Sequence, residues 1–289
     1  ALAPTPPGTD PANRTNGAPT ADLAGCNIMS NTGSTCNGSN LNASVGDAHG
    51  TNNGCGITQN SNQPTVPDPY KALASNIPAD TCGGSYPQET GKNKTVPPAN
   101  EWNGNYSLSG NKIVCGDQKL TGNTTIDAPS NAVLVIENGV LDTNGFTFKT
   151  TSGSGLTIVF TGDPNNGSYR HIPTDPTNSG TLDIAAPTSG TWHGMALYQD
   201  PNLKNTGGNL DIDYRGNNPA WKITGMVYLP HSSVQFSGAV NKASNGLSCF
   251  GMTVGDLLIN GTANMISNTQ CFAAGVDLPT GGHRGVLVN

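Results

Sequence analysis

A spacing of 22 residues recurs in the last third of the chain and constrains the fold more than any other feature. It separates Val227 from Cys249, Cys249 from Cys271, and Phe236 from Leu258. Short β-type runs divided by Gly, Asn and Pro turns surround these positions. One turn of a parallel β-helix, with three strands and three corners, uses roughly that many residues. The spacing therefore predicts successive parallel turns in which residues about 22 positions apart lie above one another.

The same spacing predicts a disulfide bond between Cys249 and Cys271. Neighbouring strands of a sheet lie about 4.8 Å apart, and an unstrained disulfide accepts a Cα–Cα distance of roughly 4.4–6.8 Å. Because such bonds persist in oxidising compartments, we expect an exported protein that lies outside the cell or on its surface.

The composition favours strands and corners over helices. The chain of 289 residues contains 38 Gly and 21 Pro, whereas only 11% of its residues are charged. Gly and Pro are the poorest helix formers, and turns favour both. We therefore expect an all-β fold, namely a right-handed parallel β-helix with inward Val, Ile, Leu and Phe and outward polar residues.

The pattern along the chain predicts one folded domain behind a lead. Residues 1–20 show no apolar periodicity and predict a flexible, disordered Pro-rich lead. Residues 21–289 are expected to form a single β-helix domain. Within it, 21–66 are the first coils, 67–100 are a Pro-rich bridge with a helical turn at KALAS, and 101–289 are the main coils.

Charge and hydropathy exclude two classes of partner. The formal net charge is −6 and no basic cluster occurs, which argues against nucleic-acid binding. No run of 18 apolar residues is present, so we expect no membrane span in this segment. The sequence starts at Ala1, and we expect it to be part of a longer exported precursor.

The cysteines predict a framework of disulfides. There are seven, at positions 26, 36, 55, 82, 115, 249 and 271. No CxxC motif occurs, and the scatter does not suit a zinc or iron–sulfur site. Besides Cys249–Cys271 we expect Cys82 to pair with Cys115. Cys26 is expected to pair with either Cys36 or Cys55, which leaves one thiol over.

Several segments resemble a known family. The strings VLVIENGVLDTNGFTF, GTLDIAAPTSGTWHGMALYQDP and ITGMVYLPHSSVQFSGAV are similar to the C-terminal extracellular region of TadG-like (TadE/TadG family) proteins of the Tad/Flp pilus assembly system. LAGCNIMSNTGS and VPDPYKALASNIPADTC resemble that family's linker with a cysteine and a DP pair. The resemblance covers roughly residues 21–279. It implies a Gram-negative surface protein for pilus assembly or adhesion, whose precursor has an N-terminal transmembrane helix. It supplies no active site.

Catalysis is the main alternative, because parallel β-helices often carry polysaccharide-cleaving enzymes. Asp211 and Asp213 alternate on one strand and could act as an acid and base pair. Leu210 and Ile212 point the other way, however, which is typical of a strand whose carboxylates face water. No metal-binding or nucleophile motif occurs. We therefore expect no enzyme activity, no metal and no cofactor.

Binding residues are expected near the break in the strand pattern between positions 163 and 179. Trp192 and Tyr169 could stack on a sugar ring, although packing beneath a loop is the alternative. The expected function is a structural or adhesive component of a pilus or related surface assembly. Its partners would be other subunits, itself, a glycan or a surface. The alternatives are a carbohydrate-active or tailspike-like depolymerase and a self-assembling filament subunit.

Overall fold

Parallel β-strands make up most of the protein. The computed structural model describes residues 2–3, 10–17, 20–21, 23, 26–89, 95–163, 171–172, 180–203, 210–240, 249–261, 264–265 and 271. The all-β expectation is confirmed, since the described helices are two short 3-10 turns, Lys71–Asn76 and Pro98–Asn100. The first of these contains the KALAS turn that the sequence predicts.

The described residues form twenty strands. They are β1 (Leu2–Ala3), β2 (Asn13–Asn16), β3 (Thr20–Ala21), β4 (Asn27–Ser30), β5 (Ser34–Cys36), β6 (Val45–Ala48), β7 (Asn52–Asn53), β8 (Thr58–Asn60), β9 (Glu101–Ser107), β10 (Gly110–Cys115), β11 (Gln118–Asp127), β12 (Ala132–Glu137), β13 (Leu141–Asp142), β14 (Thr147–Thr150), β15 (Leu156–Thr161), β16 (Thr181–Ala185), β17 (Met195–Gln199), β18 (Leu210–Val240), β19 (Phe250–Asn260) and β20 (Asn264–Met265).

Most of the strands pair in three parallel ladders, while β13 pairs with the start of β11, and β20 lies between β3 and the end of β18 in a separate sheet. The first ladder runs in the order β10, β12, β15, β17, β18, β19, β1, β4, β6 and β8. The second joins later parts of β18 and β19 to β2, β5 and β7. The third runs through β9, β11, β14, β16 and the part of β18 at 221–224. The long β18 and β19 therefore take part in more than one ladder.

The order of the strands in space differs from their order in the chain. β1 lies between β19 and β4 in the first ladder, because Leu2 pairs with both Thr253 and Met29. The N-terminal layers, β4 to β8, therefore extend the ladders beyond β19. They do not precede the main layers, β9 to β19, as the sequence order had suggested. The first described strand, β1, thus meets β19, the last but one, inside the stack.

The disordered lead predicted for residues 1–20 is wrong for its second half. β2 pairs with β19 on one side and with β5 on the other. The side chains of Ala12, Asn13 and Thr15 are buried. The prediction failed because Asn and Thr give no apolar periodicity. Pairing with a strand on each side satisfies the backbone hydrogen bonds of β2, so the strand forms without an apolar pattern.

The Pro-rich segment 67–89, here called the strap, connects the two ends of the first ladder. It runs along the outer face of that ladder, where Tyr70, Leu73 and Ile77 pack against outward-facing apolar side chains of β12, β15, β17 and β18. The hydroxyl of Tyr228 donates to Asp68 at 2.7 Å, and the hydroxyl of Tyr198 donates to the carbonyl of Tyr70 at 3.0 Å. Proline-rich chain suits this role because it leaves few backbone donors without partners.

Three disulfides are formed in the described part of the chain. Cys249 bonds to Cys271 with a Cα–Cα distance of 4.6 Å, as the 22-residue spacing predicts, and Cys82 bonds to Cys115. The third joins Cys36 to Cys55 and leaves Cys26 free. The expected pairing of Cys26 is therefore wrong. Cys36 ends β5 and Cys55 follows β7, the next strand of the second ladder, so these two thiols meet.

The constant 22-residue register is also wrong in detail. Val227 lies opposite Met252, and Phe236 lies opposite Ile259. The N–H of Gly225 is the group that donates to the carbonyl of Cys249. Loops of different length between the strands change the number of residues in each layer. A spacing of 22 residues between two stacked positions therefore does not hold for other stacked positions.

Candidate functional site

A polar groove lies at the N-terminal ends of β10, β12 and β17. Its volume is about 440 Å³. Backbone and side chains from four segments line it: the strap, the start of β10, the turn before β12, and the loop 187–192 before β17. The parallel ladder brings these segments together, because the same ends of neighbouring strands meet at one edge of a sheet.

The lining offers amides and hydroxyls around one aromatic wall. Its polar side chains are Asn76, Asn111, Ser130, Asn131, Ser189 and Thr191. The amide Nδ2 of Asn131 donates to Oγ of Ser189 at 3.1 Å, which links the two loops that form the rim. Asn131 has a φ of 62°, a left-handed conformation that Asn tolerates better than most residues. The sequence therefore favours this turn geometry, and the turn places the amide on the rim.

Trp192 forms the inner wall of the groove. Its side chain is only 7% exposed, and its ring meets the ring of Tyr198 edge to face with centroids 5.0 Å apart. Tyr198 in turn stacks on Tyr228 at 4.8 Å. The predicted binding residue thus lines a candidate site, while most of its surface packs against the sheet. The second predicted residue, Tyr169, lies outside the described residues.

An acidic corner lies at the opposite ends of the same strands. Glu137 ends β12 and pairs with Thr161 on β15. Oγ1 of Thr161 donates to Asp200, which follows β17, at 2.8 Å. Asp80 of the strap approaches from outside, close to the Cys82–Cys115 bond that joins the strap to β10. Three carboxylates from distant parts of the sequence therefore come together here.

Glu137 is the unusual member of this corner. It is 5% exposed, and no residue in the described ranges donates a hydrogen bond to its carboxyl group. Burial, together with the negative charges of Asp80 and Asp200, raises the pKa of Glu137 to about 7. The pKa of Asp80 is lowered instead, because Tyr86 and the backbone N–H of Cys82 donate hydrogen bonds to it. The same corner therefore raises the pKa of one carboxyl group and lowers that of its neighbour.

A second buried acid has a structural role. The carboxylate of Asp117 accepts hydrogen bonds from the backbone N–H groups of Glu89 and Val140, at 2.6 and 3.0 Å. Desolvation raises the pKa of Asp117, although these two bonds oppose the rise. Asp117 therefore ties the end of the strap to a corner of the main layers.

The other chemical candidates from the sequence gain no support from geometry. The side chains of Asp211 and Asp213 lie outside the described part of the structure. Nε2 of the buried His171 is 3.0 Å from the amide of Gln199, which is a structural contact. Within the described ranges no group of three or more His, Cys, Asp or Glu side chains could hold a metal ion. Nor does any helix in those ranges reach the length and apolarity needed to cross a membrane.

Sequence reasoning missed the groove amides and Glu137. Asn111 and Asn131 are two among many Asn residues in the chain, so nothing distinguishes them before the strands are assembled. Glu137 does carry a signal, because it directly follows the apolar run AVLVI of a buried strand. A carboxylate in that position is either exposed at a strand end or held in an unusual environment.

Comparison with known proteins identifies no family. No protein-family model matches the chain, and neither the curated proteins nor the solved structures include a significant match.

Proposed function

We propose that the protein is an extracellular structural and adhesive component of a surface assembly, and that its groove binds a glycan. The proposal rests chiefly on the groove beside Trp192. Amides and hydroxyls match the hydroxyl groups of a sugar, and an aromatic wall matches its apolar face. The three disulfides support an oxidising environment such as the cell exterior.

We further propose that the three ladders wind as a right-handed parallel β-helix. The chain passes from the first ladder to the second in both β18 and β19. Parallel connections within a sheet are right-handed in nearly all proteins, which supports that hand. A stack of this kind buries a continuous core and transmits load along its axis, as a component of a pilus would need.

The resemblance to TadG-like proteins supports a Tad/Flp-type pilus as the assembly. Its partners would then be other pilus subunits, and the groove would serve adhesion to a surface glycan. Catalysis is not part of this function. The proposal also places no nucleic acid or cofactor among the ligands, consistent with the net charge of −6.

A glycan array followed by calorimetry with the best-bound oligosaccharide tests the groove. The informative variant is Asn131→Gly, because Gly keeps the left-handed backbone and removes the amide. We expect binding to weaken about fivefold to tenfold, the effect of one lost hydrogen bond. Asn62→Gly is the matched control, since Asn62 also has a positive φ, of 57°, and lies far from the groove in the N-terminal layers.

Two results would contradict glycan binding in the groove. One is an array on which no glycan binds the disulfide-bonded protein. The other is equal weakening by Asn131→Gly and Asn62→Gly, which would place the ligand elsewhere or indicate a general loss of folding.

A carbohydrate-cleaving enzyme is the second candidate, and the acidic corner is the observation that favours it. Glu137 and Asp200 lie two strands apart, so their Cα atoms are separated by about 10 Å. Side chains on Cα atoms this far apart can place their carboxyl groups within the range of some 6.5–9.5 Å that inverting glycoside hydrolases use, in which one carboxyl acts as acid and the other as base. In that reaction the acid protonates the leaving oxygen while the base takes a proton from the attacking water.

Release of reducing ends from a panel of polysaccharides tests this candidate. Hydrolysis that falls at least about 100-fold in Glu137→Gln, but not in Glu101→Gln at the far end of the main layers, would favour the enzyme. No release by the wild-type protein would leave adhesion as the function.

A further inference from the structure

The two ends of the first ladder are protected to very different degrees. At the β10 end, the strap is fastened by the Cys82–Cys115 bond, and Trp102 stacks on Tyr106 at 4.9 Å over the end of the core. The exposed Lys112 also lies on this edge. Lysine on an edge strand is a common device against pairing with other chains.

At the β8 end, no described residue gives comparable protection. β8 pairs with β6 through Thr58, Gln59 and Asn60, and no other strand in the described ranges pairs with its outer edge. The N–H of Thr58 donates to the carbonyl of Ser44, towards β6. Alternation along a parallel strand then turns the backbone N–H and C=O of Gln59 towards the free edge.

The surface around β8 is apolar or neutral. Ile57, directly before the strand, is 64% exposed, which makes it the one large hydrophobic side chain in the described ranges with such exposure. Residues 26–66 contain a single formally charged residue, Asp47, although the whole chain has a net charge of −6. Asp47 accepts a hydrogen bond from Asn60 at 2.8 Å. This end of the molecule, formed by β8 and Ile57, is here called the tip. Two copies of the tip can approach each other with little charge repulsion.

We propose that two copies of the chain associate tip to tip, with the free edge of β8 pairing antiparallel to β8 of the second copy. A two-fold axis places the same edge on both sides, so one unprotected edge is sufficient and the contact is closed. A filament would require the β10 end to accept a β8 edge, and Lys112 and the strap oppose that. Ile57 of each copy lies beside the contact and loses exposed apolar surface on association.

The inference does not depend on the glycan-binding proposal, because the groove and the tip lie at different ends of the molecule. Association through the tip would give a particle with two outward-facing grooves. Two linked binding sites raise the apparent affinity for a surface that carries many copies of one glycan.

Sedimentation velocity of the disulfide-bonded protein tests the contact over a concentration series. We expect a dimer whose dissociation constant rises at least about tenfold in the double variant Ile57→Lys with Thr58→Lys, which sets like charges against each other across the axis. Asn105→Lys with Ser107→Lys is the matched control, since these exposed positions lie on β9 at the protected end. We expect this control to dimerise like the wild-type protein.

Hydrogen exchange gives a second measurement that does not depend on a substitution. We expect the amide of Gln59 to exchange more slowly as the protein concentration rises, because pairing covers it. A wild-type protein that stays monomeric at about 100 µM, or filaments in electron micrographs, would overturn the proposal. Dissociation of the dimer by the β9 control variant would overturn it as well.

Discussion

The N-terminal layers and the main layers share the same parallel pairing but differ in what fills them. The main layers enclose large side chains such as Phe160, Trp221 and Phe236, all fully buried. The N-terminal layers enclose mostly small and polar ones, including Ser30, Ala43 and Ala48, and fewer large ones, such as Ile28 and Leu41. Backbone pairing alone therefore does not determine the core. Where apolar volume is small, covalent and side-chain-to-backbone bonds have to supply the stability.

Asn52 and the Cys36–Cys55 bond show how such bonds take the place of apolar packing. Nδ2 of Asn52 donates to the carbonyls of Gly46 and Cys55, at 2.7 and 3.0 Å, and its Oδ1 accepts from the N–H of Cys55 at 3.1 Å. Gly46 lies so close to the backbone of Cys55 that a Cβ at this position would overlap it. The N-terminal layers are thus narrow, and a polar side chain fills the place that a Leu or Phe takes in the main layers.

The largest loss of stability is expected from Phe236→Ala in the main layers. Phe236 packs edge to face against Trp221 with ring centroids 5.1 Å apart, and both are fully buried. Loss of the ring should lower the free energy of unfolding by about 3–5 kcal/mol in a urea titration. Phe236→Leu is the control and should cost less than half as much. Equal stability of Phe236→Ala and the wild-type protein would show that the main layers do not depend on this core.

The second-largest loss of stability is expected from the double variant Cys36→Ser with Cys55→Ser in the N-terminal layers. The bond closes a loop of 19 residues, so its loss should destabilise these layers by about 3 kcal/mol. Hydrogen exchange should show faster exchange in β5, β6 and β7, with β12 and β15 unchanged. Cys26→Ser, which removes the free thiol, is the control. Uniform loss of protection across the molecule would contradict the division into two differently stabilised regions.

A smaller effect is expected from Asn52→Ala, which removes the three side-chain bonds and leaves buried backbone groups unpaired. We expect a loss of about 1–3 kcal/mol, again confined to the N-terminal layers. Asn53→Ala is the matched control, because the neighbouring side chain is exposed. A control variant as unstable as Asn52→Ala would mean that the backbone, and not the amide network, is the sensitive element.

The smallest effect is a pH dependence that belongs to the main layers. Burial and the charges of Asp80 and Asp200 together raise the pKa of Glu137 from 4.5 to about 7 in the folded protein. Its contribution to stability is therefore complete below about pH 4.5 and is lost as the pH rises through 7. Because the corner is partly screened by solvent, we expect the free energy of unfolding to fall by only about 1–2 kcal/mol between pH 5 and 8.

Glu137→Gln should remove most of this fall, because the amide has no charge to bury. The lowered pKa of Asp80 acts in the opposite direction and below this pH range, since its stabilisation is lost only as the solution becomes more acidic. An unchanged pH profile in Glu137→Gln would show that another group carries the dependence. A protection factor in the N-terminal layers that falls between about pH 5 and 8, after correction for the intrinsic pH dependence of amide exchange, would also contradict this assignment.

Local sequence patterns predicted the parts of this structure that depend on interactions between residues close together in the sequence. The apolar run of β12 and the Gly and Pro content indicated strands and corners. The Cys82–Cys115 and Cys249–Cys271 pairs followed from the spacing and number of the cysteines. The groove could not be predicted, because Asn76, Asn131 and Thr191 belong to three segments that meet only after the ladder and the strap have formed. The same holds for Glu137, Asp200 and Asp80 in the acidic corner.

The sequence by itself determined that this chain forms parallel strands with corners rich in Gly, Asn and Pro, and that it is held by disulfides. The tertiary structure decided the order in which the layers stack, the partner of Cys55 and the path of the strap. The physical reason is that a free edge of a parallel ladder offers the same backbone groups to any strand of suitable direction. Leu2 therefore pairs with Thr253 at the far end of the chain, and only the packing of the assembled layers selects that partner.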